Sequence, residues 1–170
     1  MKVLNKVFLS LGSNIGDRES NIAQAISAIE INRGIENINS ASFYHTEPLY
    51  NKDQGFFINT VIEFDTILKP FELLDLIKKV EFMLGRKKRR KKNMPRTIDI
   101  DILVHGESIM ETEELIIPHP NLMHRKFVLI PFDEIAPDYK IPLIKLTVHE
   151  LLVNCVDDSF VGLHDMENKA

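Results

Sequence analysis

The sequence predicts an α+β fold: a ferredoxin-like βαββαβ core with an antiparallel sheet and both helices on one face, followed by a C-terminal α/β extension. Two observations support this fold class. Segments rich in β-branched residues predict strands, segments with apolar residues at helical spacing predict helices, and they follow in the order strand, helix, strand, strand, helix, strand. We expect residues 1–157 to form a single domain and residues 158–170 to be a mobile tail.

The first strand is predicted at residues 3–11, where apolar residues are dense, and we expect it to end at Gly12. Asp17 is suited to cap the helix that follows. The short glycine-containing turn between them could present backbone amides to an anion at the start of the helix, but this signal is weak, and we interpret the turn as a connection only. The apolar face of this helix consists of Ile22, Ala25, Ile26 and Ile29.

Two further strands are predicted at residues 36–44 and 56–66. The segment that joins them, residues 46–55, is long for a hairpin, so we interpret it as a functional surface loop. On the third strand Asn59 lies between apolar neighbours, and its amide offers a donor and an acceptor to one planar partner, such as the edge of a heterocycle. A structural hydrogen bond to a loop explains the same residue equally well.

The second helix is predicted to begin at Pro70, because proline is favoured in the first helical turn, and to end at Gly85. One side of this helix is apolar and would pack on the sheet. That stripe consists of Leu73, Leu74, Ile77, Val80 and Leu84.

Residues 95–101 read Pro-Arg-Thr-Ile-Asp-Ile-Asp and lead into the fourth strand. Successive strand side chains point to opposite faces, so the isoleucines can face the helices while Asp99 and Asp101 project from the other face, which we expect to be open. Their Cα atoms would lie about 6.6 Å apart, close enough for both carboxylates to reach one divalent ion or two neighbouring ions. Oxygen ligands without histidine or cysteine nearby favour magnesium.

Seven consecutive basic residues, 86–92, lie just before these carboxylates in a chain with 25 acidic and 21 basic side chains. Positive charge beside a metal-binding pair indicates capture of a polyanion that also coordinates the metal, as a nucleoside triphosphate does. A solvated basic loop is the alternative explanation.

Beyond the fourth strand, His119 lies between two prolines, and Arg125 and Phe127 follow. A histidine held in this way suits a contact residue or an ordinary rigid turn. An apolar segment that ends at Ile135 is expected to cover the sheet edge as a short helix. A small helix is predicted at residues 148–155, because Thr147 and Glu150 form a capping box at its start.

The composition predicts a cytoplasmic protein that has no membrane partner. No apolar run approaches the roughly 20 residues of a membrane span, and the start of the chain lacks the features of a signal peptide. Its single cysteine, Cys155, is expected to be a buried structural thiol.

Several separated segments form a specific combination in a fixed order along the chain. They are Leu-Gly-Ser-Asn-Ile-Gly-Asp at 11–17, Ser-Phe-Tyr-His-Thr-Glu-Pro-Leu at 42–49, Phe-Phe-Ile-Asn at 56–59, Gly-Arg at 85–86, the segment at 95–101, Ile-Pro-His-Pro at 117–120, and Arg125 with Phe127. Together they resemble the 6-hydroxymethyl-7,8-dihydropterin pyrophosphokinase family of folate biosynthesis over residues 7–155. An Asp-x-Asp pair alone would be weak evidence.

The resemblance implies transfer of a pyrophosphoryl group from MgATP to the hydroxymethyl oxygen of the pterin, with release of AMP. Asp99 and Asp101 would hold two magnesium ions, and Arg86 and Arg96 would act as phosphate clamps in the transfer step. The other implied contacts are Thr46, Leu49, Phe57, Asn59 and Phe127 for the pterin, and Glu81, Lys88, His119 and Arg125 for the nucleotide.

By the same resemblance, two loops at residues 46–55 and 86–94 would close as lids after ATP binds. The second loop departs from the usual family pattern, because Asn93-Met94 stands where many members have Trp-Gly, and Lys88 replaces a common arginine. Met94 thus replaces a glycine that could adopt a special backbone angle. These changes affect how the loop would pack when closed.

Two other functions fit parts of the pattern. A nucleic-acid-binding module would use Phe57 and Phe127 as stacking platforms and the basic run as a phosphate contact. It does not explain Asp99 and Asp101 on the same face, since the two carboxylates would repel a nucleic-acid backbone unless metal were bound. A metal-dependent nuclease would cleave oligonucleotides and release no AMP from ATP. The sequence leaves open whether the protein is a monomer or a homodimer.

Overall fold

The computed structural model describes residues 2–86 and 92–165. Its centre is a six-stranded antiparallel sheet in which β1 runs between β5 and β4. Strands β2 and β3 pair with opposite ends of β4, and β8 pairs with β3. The strands of this sheet are β1 (Asn5–Ser13), β2 (Ile35–Ser40), β3 (Tyr44–Thr46), β4 (Phe57–Thr66), β5 (Asp99–His105) and β8 (Val161–Leu163).

Helices α1 (Arg18–Glu30) and α2 (Pro70–Met83) pack on one face of the sheet, as the ferredoxin-like fold predicts. They form one apolar core with the sheet, and the isoleucines before, within and after the Asp-Ile-Asp segment belong to it. Asp99 and Asp101 therefore project from the opposite face. The prediction that places the two carboxylates together on that face is confirmed.

A second pair of helices, α3 (Lys126–Ile135) and α4 (Val148–Asn154), covers part of that opposite face. Phe132 of α3 packs on Phe8 of β1, with ring centroids 4.5 Å apart. The segment ending at Ile135 was predicted to cover the sheet edge as a short helix. It is a helix, as predicted, but it packs on the face of the sheet and not at the edge, because its apolar side chains contact Phe8 and Val61 there. The face stays open only around the two aspartates.

The capping residues predicted for two helices are confirmed. Asp17 accepts a hydrogen bond from the Ser20 amide at 3.1 Å and so caps α1. Thr147 and Glu150 form the capping box of α4, in which each side chain accepts from the backbone of the other residue. These are local signals, and the sequence was sufficient to find them.

Glu134 attaches α3 to the sheet. Its carboxylate accepts hydrogen bonds from the Ser42 amide at 3.0 Å, the Ser42 hydroxyl at 2.8 Å and the Tyr44 hydroxyl at 2.6 Å. Burial raises the pKa of Glu134, but these hydrogen bonds outweigh it and hold the pKa below its usual value.

The single strand predicted at residues 36–44 is two strands, so that prediction was wrong. The Thr60 hydroxyl is 3.1 Å from each of the carbonyl oxygens of Ala41 and Ser42. The Thr60 hydroxyl thus contacts carbonyl oxygens that would accept hydrogen bonds in a continuous strand. Pairing with β4 is interrupted between β2 and β3. In addition, β1 continues to Ser13, past its predicted end at Gly12.

The predicted mobile tail was wrong for residues 158–165. Strand β8 pairs with β3 residue by residue, and His164 donates from its amide to the Phe43 carbonyl oxygen at 2.8 Å. The open edge of β3 satisfies the backbone groups of this short segment. Cys155 is half-buried against the second core rather than fully buried.

Short elements connect β5 to α3. A hairpin of β6 (Met110–Glu111) and β7 (Ile116–Ile117) is followed by a 3-10 helix (Leu122–His124). Across the described ranges, no helix has both the length and the apolar character needed to span a membrane.

Candidate active site

A cleft of about 350 Å³ opens on the uncovered part of the sheet. It is bordered by the loop at 46–55, the segment that precedes β5, and the start of α3. All predicted site residues except Glu81 and Lys88 line it: Thr46, Leu49, Phe57, Asn59, Arg86, Arg96, Asp99, Asp101, His119, Arg125 and Phe127. Lys88 lies outside the described residues, and Glu81 lies beneath the cleft.

Two arginines hold Asp99 from different directions. Arg86 donates to its Oδ1 at 2.6 Å, and Arg96 donates to its Oδ2 at 2.8 Å. Both guanidinium groups are partly exposed to the cleft. The start of β5 therefore combines a carboxylate with two cations that can also bind phosphate oxygens.

Asp101 is held less closely than Asp99. Its Oδ2 lies 3.9 Å from Arg125 Nη1 and 4.0 Å from His119 Nε2. Burial in the cleft and the negative charge of Asp99 raise the pKa of Asp101, although the surrounding arginines oppose the shift. Two neighbouring carboxylates in this position favour a bound cation.

Glu81 supports Arg86 from below. It is only 9% exposed, accepts a hydrogen bond from the Ile100 amide at 3.2 Å, and forms an ion pair with Arg86. Burial raises the pKa of Glu81 to about 7, against the effect of the Arg86 charge. Glu81 is not among the residues that line the cleft, and its predicted contact with the nucleotide stays a prediction.

The polar side chains at the other end of the cleft are fixed by each other. Asn59 Nδ2 donates to Thr46 Oγ1 at 2.7 Å, and the two residues are 5% and 1% exposed. On the neighbouring strand, Gly12 is paired with Asn59, and a Cβ atom at Gly12 would lie 2.3 Å from Asn59 Oδ1. Only glycine leaves room for this orientation of the amide. The sequence did not point to Gly12, because the register that sets it against Asn59 is not a local property.

Asn14 is a second residue that the sequence reasoning missed. Its side-chain Oδ1 accepts a hydrogen bond from the Arg96 backbone amide at 2.8 Å. Its backbone amide donates to the Arg96 carbonyl oxygen at 3.2 Å. Its Nδ2 also donates to Gln54 Oε1 at 2.9 Å. The turn after β1 therefore fixes both the backbone of Arg96 and the loop at 46–55, and is more than a connection.

The two loops contact each other at Asn93. Asn51 Nδ2 and Gln54 Nε2 each lie 3.5 Å from the Asn93 carbonyl oxygen. Among the described residues of the second loop, Asn93 has a left-handed backbone angle, with φ of 60°, and Met94 does not. Asparagine tolerates this conformation better than most residues do, so the substitution of the usual glycine by Met94 has no backbone cost here.

His119, Arg125 and Phe127 form the third wall. The Arg125 guanidinium carbon lies 5.8 Å from the Phe127 ring centre and 6.0 Å from that of Tyr50, whose hydroxyl is 3.4 Å from Arg125 Nη2. The Nε atom of Arg125 is buried and has no hydrogen-bond partner within the described part of the chain. Burial, together with the charge of Arg125, lowers the pKa of His119 to about 4, so this histidine is neutral at pH 7.

Within residues 2–86 and 92–165, no group of three or more His, Cys, Asp or Glu side chains could hold a metal ion. Among the described residues that line the cleft, Asp99 and Asp101 are a neighbouring pair of carboxylate donors, which suits a hard divalent cation that would take its other ligands from water or phosphate. The residues therefore fit magnesium bound together with a phosphate substrate, and they do not fit an all-protein metal site.

Comparison with known proteins gives a consistent result. A family model described as 7,8-dihydro-6-hydroxymethylpterin-pyrophosphokinase (HPPK) matches residues 8–137. The 2-amino-4-hydroxy-6-hydroxymethyldihydropteridine pyrophosphokinase of Bacillus subtilis is 42% identical over 132 residues, which cover 78% of each chain. The protein of the same name from Haemophilus influenzae is 33% identical over 157 residues, or 92% of this chain and 97% of that one.

Longer relatives contain a region similar to this chain. The folic acid synthesis protein FOL1 of Dictyostelium discoideum is 38% identical over 88% of this chain, which spans 22% of that protein. The wild-type HPPK-DHPS structure of Plasmodium falciparum with pterin and p-hydroxybenzoate matches with a TM-score of 0.69, covering 90% of this chain and 43% of that one. At 17% identity this likeness concerns the fold alone.

Proposed function

Because the chain belongs to the 7,8-dihydro-6-hydroxymethylpterin-pyrophosphokinase family, we infer that it transfers the pyrophosphoryl group of ATP to 6-hydroxymethyl-7,8-dihydropterin and releases AMP. The reaction belongs to folate biosynthesis, and ATP is the co-substrate. The hydroxymethyl oxygen of the pterin forms a bond to the β-phosphorus. The bond between that phosphorus and the oxygen bridging to the α-phosphate breaks, AMP leaves with its electron pair, and the hydroxyl proton is released to solvent.

One observation carries the assignment of this reaction to particular residues. A single cleft is lined both by a pair of carboxylates with arginines and by a fixed amide with two aromatic side chains. A polyphosphate requires the first group, and a planar heterocycle requires the second. Their proximity suits a transfer between two bound small molecules.

We assign the pterin to the end of the cleft that contains Asn59. Its buried amide is held by Thr46, so it can present a fixed donor and acceptor to the polar edge of the ring. Phe57 and Phe127 would contact the faces of the ring, and Leu49 would cover it from the loop at 46–55.

We assign the triphosphate to the end that contains Asp99 and Asp101. These residues would hold two magnesium ions, which when bound would neutralise charge on the phosphate oxygens. Arg86 and Arg96 would stabilise the negative charge that develops on the nonbridging and leaving oxygens, and Glu81 would orient Arg86. Positioning and charge neutralisation are sufficient for this chemistry, so no dedicated catalytic base is required.

His119 and Arg125 would complete the nucleotide site beside Asp101. Since His119 is neutral at pH 7, it would contribute a hydrogen bond and not a charge. Lys88 as a nucleotide contact, closure of the two loops as lids, and a cytoplasmic location stay predictions. Closure would keep water from the phosphates and prevent unproductive hydrolysis of ATP.

None of the relatives reported above is named as a nucleic-acid-binding protein. The two aromatic residues that such a module would use for stacking line the same cleft as the carboxylates. A nucleic-acid backbone would meet that negative charge at once.

The reaction is tested by incubating the protein with MgATP and the hydroxymethyl-dihydropterin and separating the nucleotides. We expect AMP in an amount equal to the pterin diphosphate formed. ADP as the product would contradict pyrophosphoryl transfer, and cleavage of an added oligonucleotide without AMP would favour the nuclease. A reaction without pterin measures hydrolysis, and chelation of magnesium by excess EDTA should stop turnover, with recovery when magnesium is added back.

A further inference from the structure

We propose that residues 157–164, termed here the C-terminal clamp, fix the distance between the two walls of the pterin pocket and thereby set pterin affinity. This inference deepens the proposed function and rests on it. The clamp lies beyond residues 8–137, which the family model matches. It contacts main-chain groups next to site residues on both walls, and it supplies no side chain to the cleft lining.

The first contact is with the wall that carries Thr46. Strand β8 pairs Val161 with Thr46, and the Glu47 amide donates to the Phe160 carbonyl oxygen at 3.2 Å. In return the Phe160 amide donates to Glu47 Oε1 at 2.9 Å. Thr46 holds the side-chain amide of Asn59. By fixing the backbone of Thr46, the clamp therefore fixes the position of the amide that we propose to bind the pterin.

The second contact is with the wall that carries Phe127. Lys126 begins α3, and Arg125 before it provides no side-chain cap. Asp157 supplies the missing acceptor, because its Oδ2 receives the Lys126 amide at 3.0 Å. A carboxylate suits the positive end of a helix. The cap therefore fixes the backbone of Lys126, which lies between the proposed nucleotide contact Arg125 and the proposed pterin contact Phe127.

The clamp is itself held firmly between these contacts. Asp157 Oδ1 accepts the Ser159 amide at 2.9 Å, and Ser159 is 7% exposed. Burial raises the pKa of Asp157, but its hydrogen bonds with Ser159 and Lys126 outweigh this and lower it below the usual value. At the other end, His164 pairs with Glu19 of α1. A segment anchored at both ends can act as a spacer between the walls.

Point variants of the full chain test this role. Asp157→Ala removes both acceptor oxygens, Asp157→Asn retains one, and Asp158→Ala alters the exposed neighbour as the matched control. We expect the KM for pterin to rise about tenfold in Asp157→Ala and by a smaller factor in Asp157→Asn. The KM for pterin in Asp158→Ala should stay at the wild-type value. The kcat and the KM for ATP should change by less than about threefold, since the clamp touches both pterin walls and only one neighbour of the nucleotide.

A purely structural effect would lower the melting temperature and the active fraction without a selective change in the KM for pterin. Unchanged pterin KM in an active Asp157→Ala chain, or equal increases in both KM values, would overturn the inference. If Asp157→Ala does not fold, Asp157→Asn decides by the same criteria. Failure of the wild-type chain to form AMP contradicts the proposed function instead, so the two failures are distinguishable.

Discussion

Replacement of Gly12 by alanine should disturb the site without removing any group that we propose to bind substrate. A Cβ atom at this position would lie 2.3 Å from Asn59 Oδ1, whereas carbon and oxygen atoms in contact are about 3.3 Å apart. The amide oxygen must therefore move by about 1 Å. A shift of that size carries Asn59 Nδ2, now 2.7 Å from Thr46 Oγ1, out of hydrogen-bond range.

The magnitude follows from the lost hydrogen bonding. A buried polar group left without its partner costs about 1–3 kcal/mol, and about 1.4 kcal/mol corresponds to a tenfold change in affinity. We therefore expect Gly12→Ala to weaken pterin binding by about 5- to 150-fold. The KM for ATP should change less: Gly12 is also paired with Asp99, but a Cβ atom at Gly12 would meet the Asn59 side chain and not the carboxylate.

The assay is a pterin titration at fixed MgATP, with melting temperatures measured in parallel. Gly55→Ala is the matched control, because a Cβ atom there meets its nearest neighbour, the Asn14 carbonyl oxygen, at an ordinary 3.8 Å. A double-mutant cycle gives a sharper test: once Asn59→Ala has removed the clashing amide, Gly12→Ala should add almost nothing. Wild-type pterin affinity in Gly12→Ala, or additive effects in the cycle, would refute the reasoning.

Three further predictions concern the acidic pair, the aromatic wall and the attachment of α3. Asp99→Ala and Asp101→Ala should each lower kcat at least about 100-fold at saturating MgATP, since each removes a proposed metal ligand; near wild-type turnover in either would contradict that assignment. Phe127→Ala should weaken pterin binding about tenfold with a smaller change in kcat, and a titration showing only a loss of kcat would contradict a stacking role. Glu134→Gln should lower the free energy of unfolding by about 1 kcal/mol at pH 7, a modest value because this carboxylate is exposed. The folded-state pKa of Glu134 lies below its ordinary value of 4.5, so its contribution is present above that pH and is lost as the pH falls through the folded-state pKa. Denaturant titrations should show the free energies of unfolding of the wild type and Glu134→Gln converging at low pH. A difference between the two free energies that persists at low pH would contradict the role of the ionised carboxylate.

Predictions based on local patterns were largely confirmed by the structure. The alternation of isoleucine and aspartate before and within β5 placed Asp99 and Asp101 on one face, because side chains on a strand alternate whatever surrounds it. The caps at Asp17 and Thr147 were found for the same reason, since each is completed within about one helical turn. Grouping the pterin and nucleotide residues in one cleft depended also on the resemblance to a known family.

Predictions that depended on distant contacts were wrong or absent. The second strand was predicted as continuous because its pattern gives no sign that Thr60 interrupts the ladder. A three-residue strand such as β8 has too little pattern of its own to predict, and its pairing depends on the free edge of β3. Asn14 was interpreted as part of a turn because its partner Arg96 lies 82 residues away.

The sequence alone determined the order of strands and helices, the face on which the two aspartates lie, and the concentration of positive charge beside them, since each follows from the spacing of neighbouring residues. Tertiary structure alone decided that Gly12 makes room for Asn59, that Asn14 fixes Arg96, and that the C-terminal clamp joins Thr46 to the start of α3. The physical reason is that such contacts depend on sheet register and on packing of the whole chain, which no short stretch of residues specifies.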